Sequence, residues 1–136
     1  MFFEDLKVGL YAEEEYFVTE DKIIKFAEIS GDYNPLHLDD SYAKQTIFKK
    51  KIAHGLMSAS LFSGIFGTKL PGEGSIYISQ NLKFNKPVFI GDLVKARVEI
   101  QKINKRTRKI YFSTECMVGN KKVITGEAEI LYNKSI

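Results

Sequence analysis

The sequence predicts an α+β fold, because helical patterns fall in its first half and long strand-like patterns in its second half. Residues 55–67, GLMSASLFSGIFG, are apolar and carry no charge, as expected for a helix buried on all sides and wrapped by a sheet. After residue 92, apolar residues recur at every second position in successive segments. We therefore expect a single domain, residues 1–136, in which an antiparallel sheet packs against a long apolar helix.

The helical half contains two further candidate helices. Residues 19–30, TEDKIIKFAEIS, begin with Thr19 as a capping residue and acidic side chains in the first turn, and Gly31 is a typical stop. The residues expected on one side of this helix are Ile23, Ile24 and Ala27. A shorter helix is predicted within residues 39–48, DDSYAKQTIF, capped by one of its two aspartates.

The second half reads as strands and turns. The predicted strands are SIYISQNLKF (75–84), DLVKARVEIQKI (92–103), KIYFSTECMV (109–118) and VITGEAEILY (123–132), and PVFIGD (87–92) is a turn or strand entry. Short polar connections such as GNKK join the last three strands as hairpins. Hairpins make neighbouring strands antiparallel, so the sheet is expected to be antiparallel.

Composition narrows the function class. The chain of 136 residues is 44% hydrophobic and 27% charged, and its net charge is +3. No apolar stretch is long enough for a membrane span, the first residues do not resemble a secretory signal, and a single cysteine, Cys116, predicts no internal disulfide. We expect Cys116 to be a small buried residue, the basic runs FKKK and KINKRTRK to be solvated, and the protein to be cytoplasmic with no nucleic-acid or membrane partner.

The inventory of reactive residues is short. The two histidines, His37 and His54, lack the spacing of a metal site in the sequence, so no metal is expected. No nucleophile elbow, phosphate loop or dinucleotide fingerprint occurs; GTKLPGEG is glycine-rich but has the wrong spacing. The remaining candidates are the two polar stretches that contain the histidines.

Asp32 and His37 lie in ISGDYNPLHLDD, directly after a predicted helix end. Pro35 disfavours a helical Asn34, so the chain is expected to bend and to bring a carboxylate and an imidazole toward one water molecule. Two such groups can transfer protons near neutral pH. The residue types alone are equally those of a structural turn, in which Asp32 only accepts hydrogen bonds from local amides.

His54 and Gly55 open the long apolar helix. The amides at a helix N-terminus have no partners within the helix, so the Gly55 N–H can polarise a carbonyl as part of an oxyanion hole. The alternative is that Gly55 only allows close packing.

The stretch FAEISGDYNPLHLDDSYA (26–43) closely resembles the signature of the MaoC-like, R-specific enoyl-CoA hydratases. Residues 53–92, which begin AHGLMSASLFSG, are similar to the same family in order and spacing. The resemblance covers nearly the whole chain, and it implies the hot-dog fold, in which an antiparallel sheet wraps around one long helix. It also implies a homodimer or a dimer of dimers in which two sheets join edge to edge.

The resemblance implies a role for each candidate residue. Asp32 and His37 would hold the water that adds to a trans-2-enoyl-CoA and gives the (R)-3-hydroxyacyl-CoA, and the Gly55 amide would bind the thioester oxygen. Residues expected to position or bind the substrate are Asn34, His54, Leu56, Leu61, Phe62, Ser63, Lys83 and Lys86. Coenzyme A is part of the substrate, and no separate cofactor is expected.

Three alternatives use the same fold. One is a dehydratase of 3-hydroxyacyl groups on acyl carrier protein, for which FKKK or KINKRTRK would form a basic docking patch. The second is a hot-dog acyl-CoA thioesterase, which the Asp-x-Asn-Pro-x-His stretch disfavours. The third is a non-catalytic module, for which loss of Asp32 or His37 would be expected.

Overall fold

The computed structural model describes residues 1–135, which form one antiparallel sheet and a set of helices. The strands are β1 (Tyr11–Phe17), β2 (Ser75–Phe84), β3 (Leu93–Asn104), β4 (Lys109–Val118) and β5 (Lys121–Tyr132). The helices are α1 (Glu20–Ser30), α2 (Pro35–Leu38), α3 (Asp40–Lys44) and α4 (Gly55–Thr68), and a 3-10 turn covers Phe3–Asp5. The strand order is β1-β3-β4-β5-β2, and α4 packs against all five strands. This is the predicted α+β hot-dog arrangement.

Alternation in β3 and β4 places one apolar face against α4. The inward residues of these two strands are all buried: Val94, Ala96, Val98, Ile100, Ile110, Phe112, Thr114 and Cys116. Their partners on β5 include Ile124, Ala128 and Ile130, which extend the same face. The core therefore lies between the sheet and α4, as the period-two pattern predicted.

Strand β1 was not predicted. Its sequence, YAEEEYF, contains three consecutive glutamates, so no period-two pattern is visible. It forms because its backbone pairs with β3, with Ala12 opposite Val98 and Tyr16 opposite Val94. An edge strand needs only a few inward residues, so hydrophobic periodicity is a weak signal for it.

Helix α1 has the predicted ends and one misplaced residue. The Thr19 hydroxyl accepts a hydrogen bond from the Lys22 N–H (3.2 Å), and Gly31 ends the helix with a left-handed φ of 76°. Ile23 and Ala27 are buried, but Ile24 is 43% exposed. The prediction that Ile24 shares their side is wrong, because adjacent helical residues diverge by about 100°.

Helix α4 is buried on one face rather than on all sides. Met57, Phe62 and Ile65 pack into the core, whereas Leu56 is 59% exposed and Ser63 and Gly64 are also exposed. The five-stranded sheet of one chain is wide enough to cover only the inner face of the helix. The prediction of complete burial is therefore wrong for the single chain.

Cys116 is buried as predicted, and its thiol lies 3.7 Å from the Ser58 carbonyl oxygen. Burial raises the pKa of this thiol to about 12, so the neutral form is retained. Lys51 of the FKKK run contradicts the prediction of a solvated cation, since only 7% of it is exposed. No helix within residues 1–135 is long and apolar enough to cross a membrane.

The sheet has two distinct ends. The Val118 end of β4, the Lys121 end of β5 and the Phe84 end of β2 lie together, and we call this the cavity end. The opposite end contains the β3–β4 hairpin and the Tyr132 end of β5.

Candidate active site

A cavity of about 630 Å³ opens at the cavity end, beside the N-terminus of α4. Six of the predicted site residues line it: Asp32, His37, His54, Gly55, Leu56 and Lys86. The aromatic rings of Phe26, Phe48 and Phe84 line it as well. The fold therefore joins the two polar stretches that were singled out in the sequence.

The loop that presents Asp32 is built from short-range hydrogen bonds. The Ser30 hydroxyl oxygen accepts from the Asp32 N–H (3.1 Å), and Asp32 Oδ1 accepts from the Asn34 N–H (3.2 Å). Asn34 Oδ1 in turn accepts from the Leu36 N–H (3.1 Å) and caps α2. The stretch is thus a turn, as one reading of the sequence had it, followed by one helical turn that was not predicted. Asn34 sets the direction of that helical turn and so of His37.

His37 is held in a defined tautomer. Its Nδ1 lies 2.7 Å from the Ile52 carbonyl oxygen, and because a carbonyl only accepts, Nδ1 carries the proton in the neutral ring. Nε2 then has a free lone pair and lies 3.8 Å from Asp32 Oδ2. The ring is 9% exposed, whereas the Asp32 side chain is 49% exposed at the cavity. Two proton-transfer groups therefore lie side by side, too far apart to bond directly.

His54 is held in the opposite tautomer. Its Nε2 lies 3.0 Å from the Asp32 carbonyl oxygen, so Nε2 donates. The ring stacks on His37 with a centroid separation of 3.9 Å and is 3% exposed. Within residues 1–135, its Nδ1 is buried without a hydrogen-bond partner. His54 therefore supports both Asp32 and His37.

Asp32, His37 and His54 also bring three possible metal-ligand atoms within 4.8 Å of one another, although their sequence spacing is not that of a metal site. In the assigned tautomer, His54 Nε2 donates its proton to a carbonyl and has no lone pair for a cation. The two rings are stacked with an interplanar angle of 27°, so their in-plane lone pairs run alongside each other. The lone pairs that remain belong to His37 Nε2 and His54 Nδ1, and the absence of a metal stays a prediction.

The surroundings of Gly55 show close packing and are compatible with the predicted oxyanion role. It is the first residue of α4, and its amide belongs to the unpaired N-terminal turn that borders the cavity. A Cβ atom at this position would overlap the Phe84 ring. The glycine therefore lets an aromatic wall approach the helix N-terminus, and it leaves an N–H available to a bound carbonyl.

The other predicted residues are more scattered. Leu61 packs at the edge of the core, and Phe62 is fully buried in it. Ser63 lies on the exposed face of α4, and Lys83 is exposed on β2; neither lines the cavity. Sequence reasoning missed Phe84 and the Ile52 carbonyl. The alternation of β2 places Phe84 on the inner face opposite Ile124, but a backbone carbonyl has no sequence signal.

The chain was compared with known proteins. It is 44% identical over 130 residues to the (R)-specific enoyl-CoA hydratase of Rhodospirillum rubrum, covering 96% of this chain and 90% of that protein. It is 44% identical over 128 residues to the 3-hydroxybutyryl-CoA dehydratase of Methylorubrum extorquens, covering 94% and 82%. Among solved structures, the (R)-hydratase from A. caviae involved in PHA biosynthesis superposes with a TM-score of 0.93 at 40% identity, covering 96% of this chain and 99% of that one.

The family model described as the MaoC like domain matches residues 4–126, which include Asp32, His37 and Gly55. This match spans the whole sheet up to the middle of β5. Together with the two relatives above, it shows that the chain belongs to the MaoC-like domain family.

Proposed function

We propose that the protein is an (R)-specific enoyl-CoA hydratase, a hydro-lyase that reversibly adds water to a trans-2-enoyl-CoA to give the (R)-3-hydroxyacyl-CoA. The observation that supports this most directly is the pair formed by Asp32 Oδ2 and His37 Nε2, which lie 3.8 Å apart in one cavity beside the Gly55 amide. Relatives with 44% identity over nearly the whole chain are named as a hydratase and a dehydratase of acyl-CoA substrates.

Both atoms of the pair are acceptors, so one substrate water can donate a hydrogen bond to each. As the water oxygen bonds to C3, Asp32 accepts one of its protons, and the electrons of the double bond move toward the thioester carbonyl. The Asp32 carboxyl then returns that proton to C2 as the electrons move back from the thioester oxygen, while His37 Nε2 accepts a hydrogen bond from the hydroxyl group now on C3. Because the two groups face the substrate from the same side, hydrogen and hydroxyl add to one face of the double bond, which is syn addition.

Negative charge develops on the thioester oxygen during the attack. The Gly55 N–H, at the N-terminus of a helix of 14 residues, is placed to donate to that oxygen. His54 directly precedes this amide, and its hydrogen bond to the Asp32 carbonyl links the start of α4 to the residue that acts as base. Asn34 acts indirectly, by capping the helical turn that carries His37.

Coenzyme A enters as part of the substrate, and the mechanism requires no further cofactor. Leu56 and Phe84 give the cavity an apolar wall for the acyl thioester, and Lys86 supplies positive charge for the phosphates. Lys83 is outside the cavity on the same end of β2, where it can add to that charge. Leu61 and Phe62 belong to the core packing and do not line the cavity, and Ser63 lies on the exposed face of α4.

The two sheet edges differ in a way that supports a homodimer. Edge strand β1 has three consecutive glutamates, and Lys69 Nζ binds the Glu13 carbonyl (2.8 Å), so this edge resists pairing. Edge strand β2 instead exposes Ile76, Tyr77 and Ile78 and no charge in that stretch. We propose that β2 pairs with β2 of a second copy. Such pairing would cover this apolar edge.

The carrier alternative is weakened by the position of one basic run. Within one chain, KINKRTRK spans the β3–β4 hairpin at the end of the sheet opposite the cavity, so it does not border the site. Phe48, the first residue of FKKK, lines the cavity. This run is therefore compatible with either coenzyme A or acyl carrier protein as the carrier. Parallel assays with crotonyl groups on coenzyme A and on acyl carrier protein discriminate the two.

The proposal predicts loss of the enoyl-thioester absorbance when the protein is added to crotonyl-CoA, with (R)-3-hydroxybutyryl-CoA as product. Asp32→Asn and His37→Ala should each lower the rate by about 100- to 10,000-fold, because each removes one proton-transfer group. Asp21→Asn, which alters an exposed carboxylate on α1, is the matched control and should retain activity.

An inactive wild type across several chain lengths, or full activity in both site variants, would contradict the hydratase proposal. Release of free thiol in place of hydration would identify a thioesterase. Chiral analysis of the product tests the assignment of the R configuration.

A further inference from the structure

Lys51 is a buried cation directly before the segment that carries Ile52 and His54. Its Nζ lies 2.5 Å from Glu20 Oε1 and 3.8 Å from Asp40 Oδ2. The lysine side chain is 7% exposed, whereas these two carboxylate side chains are 62% and 85% exposed. A buried ammonium is unfavourable unless it is paired. Burial of Lys51 at this position therefore depends on its contacts with both carboxylates.

The two carboxylates belong to different elements. Glu20 opens α1, and Asp40 opens α3, three residues after His37. Lys51 therefore connects the start of α1, the α2–α3 region and the segment that leads into α4. Glu20 raises the pKa of Lys51 above its usual range, mainly through the hydrogen bond, so the connection persists at neutral pH.

The residue after Lys51 makes the contact that defines the site. The Ile52 N–H donates to the Leu36 carbonyl (3.3 Å), and the Ile52 carbonyl accepts from His37 Nδ1 (2.7 Å). The preceding residues form a loop of turns in which Lys49 has a left-handed φ of 68° and Ile47 is 87% exposed. Lys51 therefore lies at the end of the exposed loop, directly before the residue whose carbonyl binds the His37 ring.

The position of the Ile52 carbonyl decides which nitrogen of His37 carries the proton. If that carbonyl moves away, the other neutral tautomer becomes accessible and presents an N–H, in place of a lone pair, to Asp32 and the substrate water. A displacement of about 1 Å in a positioning group can lower a rate about 100-fold.

We propose that Lys51 is a positioning residue for the hydration reaction: its ion pairs with Glu20 and Asp40 fix the Ile52 carbonyl, which keeps the His37 proton on Nδ1. This inference rests on the proposed hydratase function for its effect on rate, but its effect on the His37 tautomer does not.

The test compares Lys51→Met with wild type, and Lys25→Met is the matched control because Lys25 forms an exposed pair with Asp21 on α1. Met retains much of the apolar stem and removes the charge. Two measurements are made on folded protein: kcat and KM for crotonyl-CoA, and the ¹⁵N signals of the imidazoles. The chain has 2 histidines, so the spectrum contains one Nδ1–H ring and one Nε2–H ring in wild type.

For Lys51→Met we expect the His37 signals to shift toward a mixture of tautomers while His54 keeps its Nε2–H. We expect kcat to fall by roughly 10- to 100-fold, with KM within about twofold. Lys25→Met should match wild type in both measurements. An unchanged His37 tautomer, or an unchanged kcat in an active enzyme, would overturn the inference.

If Lys51→Met does not fold, the double variant Glu20→Gln with Asp40→Asn decides by the same criteria, because both side chains are exposed. If wild type shows no hydration at all, the proposed function fails. The imidazole signals then still decide whether Lys51 fixes His37.

Discussion

At the scale of single residues, the site depends on two backbone carbonyl groups, which can accept hydrogen bonds but cannot donate them. The Ile52 and Asp32 carbonyls cannot donate, so they assign opposite tautomers to His37 and His54. The stacked rings consequently have different tasks: His37 presents a lone pair to the cavity, and His54 uses its proton to hold the Asp32 backbone. The position of the proton on each ring thus distinguishes His37, which we propose takes part in the reaction, from His54, which we propose supports it.

The glycine at the start of α4 leads to a residue-scale prediction. In Gly55→Ala, the new methyl group overlaps the Phe84 ring and displaces either the ring or the amide, so we expect hydration to slow by about 100-fold, the effect of losing one oxyanion donor. Steady-state kinetics with crotonyl-CoA measure this.

The double variant Gly55→Ala with Phe84→Ala should recover part of the rate if overlap is the cause. Gly64→Ala, in the same helix with open space around its Cβ position, is the control and should keep its activity. A Gly55→Ala enzyme as fast as wild type would rule out this use of the amide.

At the scale of elements, the contrast between the two edge strands is the basis of the proposed dimer. Strand β1 is charged along its exposed side, while β2 combines an apolar stretch with a bulge between Tyr77 and Ser79. Helix α4 runs beside β2, since Gly55 approaches Phe84 at one end and the Ser75 hydroxyl donates to the Phe66 carbonyl at the other.

Ile78→Glu tests this arrangement. Ile78 is 44% exposed at the bulge of β2, and a charge there should oppose strand pairing and convert a dimer into a monomer. Light scattering coupled to size exclusion gives the mass directly. Glu14→Gln on β1 should leave the mass unchanged; a wild-type monomer would contradict the proposed dimer.

At the scale of the whole molecule, burial keeps several titratable groups neutral to a higher pH than in the unfolded chain. Burial raises the pKa of Cys116 to about 12 from 9.0, and that of Tyr16 to about 12 from 10.0. Partial burial raises the pKa of Tyr77 to about 12 as well, although 39% of this residue is exposed. Alkaline pH therefore acts against the fold, because the unfolded chain ionises at a lower pH than the folded protein.

We expect the free energy of unfolding to be unaffected by these groups below about pH 9 and to decline between about pH 9 and 12, as the unfolded chain ionises first. Urea titrations at pH 7 to 11 measure this. In Cys116→Ala the onset should move to about pH 10, where the tyrosines begin to ionise. Parallel curves for wild type and variant across this range would refute the assignment.

The parts of this molecule that could be predicted from the sequence are those with alternating apolar residues or with recognisable capping and turn residues. Alternation located β3, β4 and β5, and the cap at Thr19 and stop at Gly31 bounded α1. Local turn and helix-start residues singled out Asp32, His37 and Gly55 as candidates, but their roles came from the family resemblance and stay predictions. Strand β1 and the burial of Lys51 were missed, since both depend on partners more than 15 residues away in the chain: β3 for the strand, and Glu20 for the lysine.

The first and last described residues meet far from the cavity. The Phe3 N–H donates to the Lys134 carbonyl (2.7 Å), and Tyr132 closes the end of β5 opposite its cavity end. A tag, a surface tether or a fused protein attached at either terminus would therefore project from the end of the sheet opposite the cavity end. The protein can be immobilised or displayed there with the substrate entrance still facing the solution.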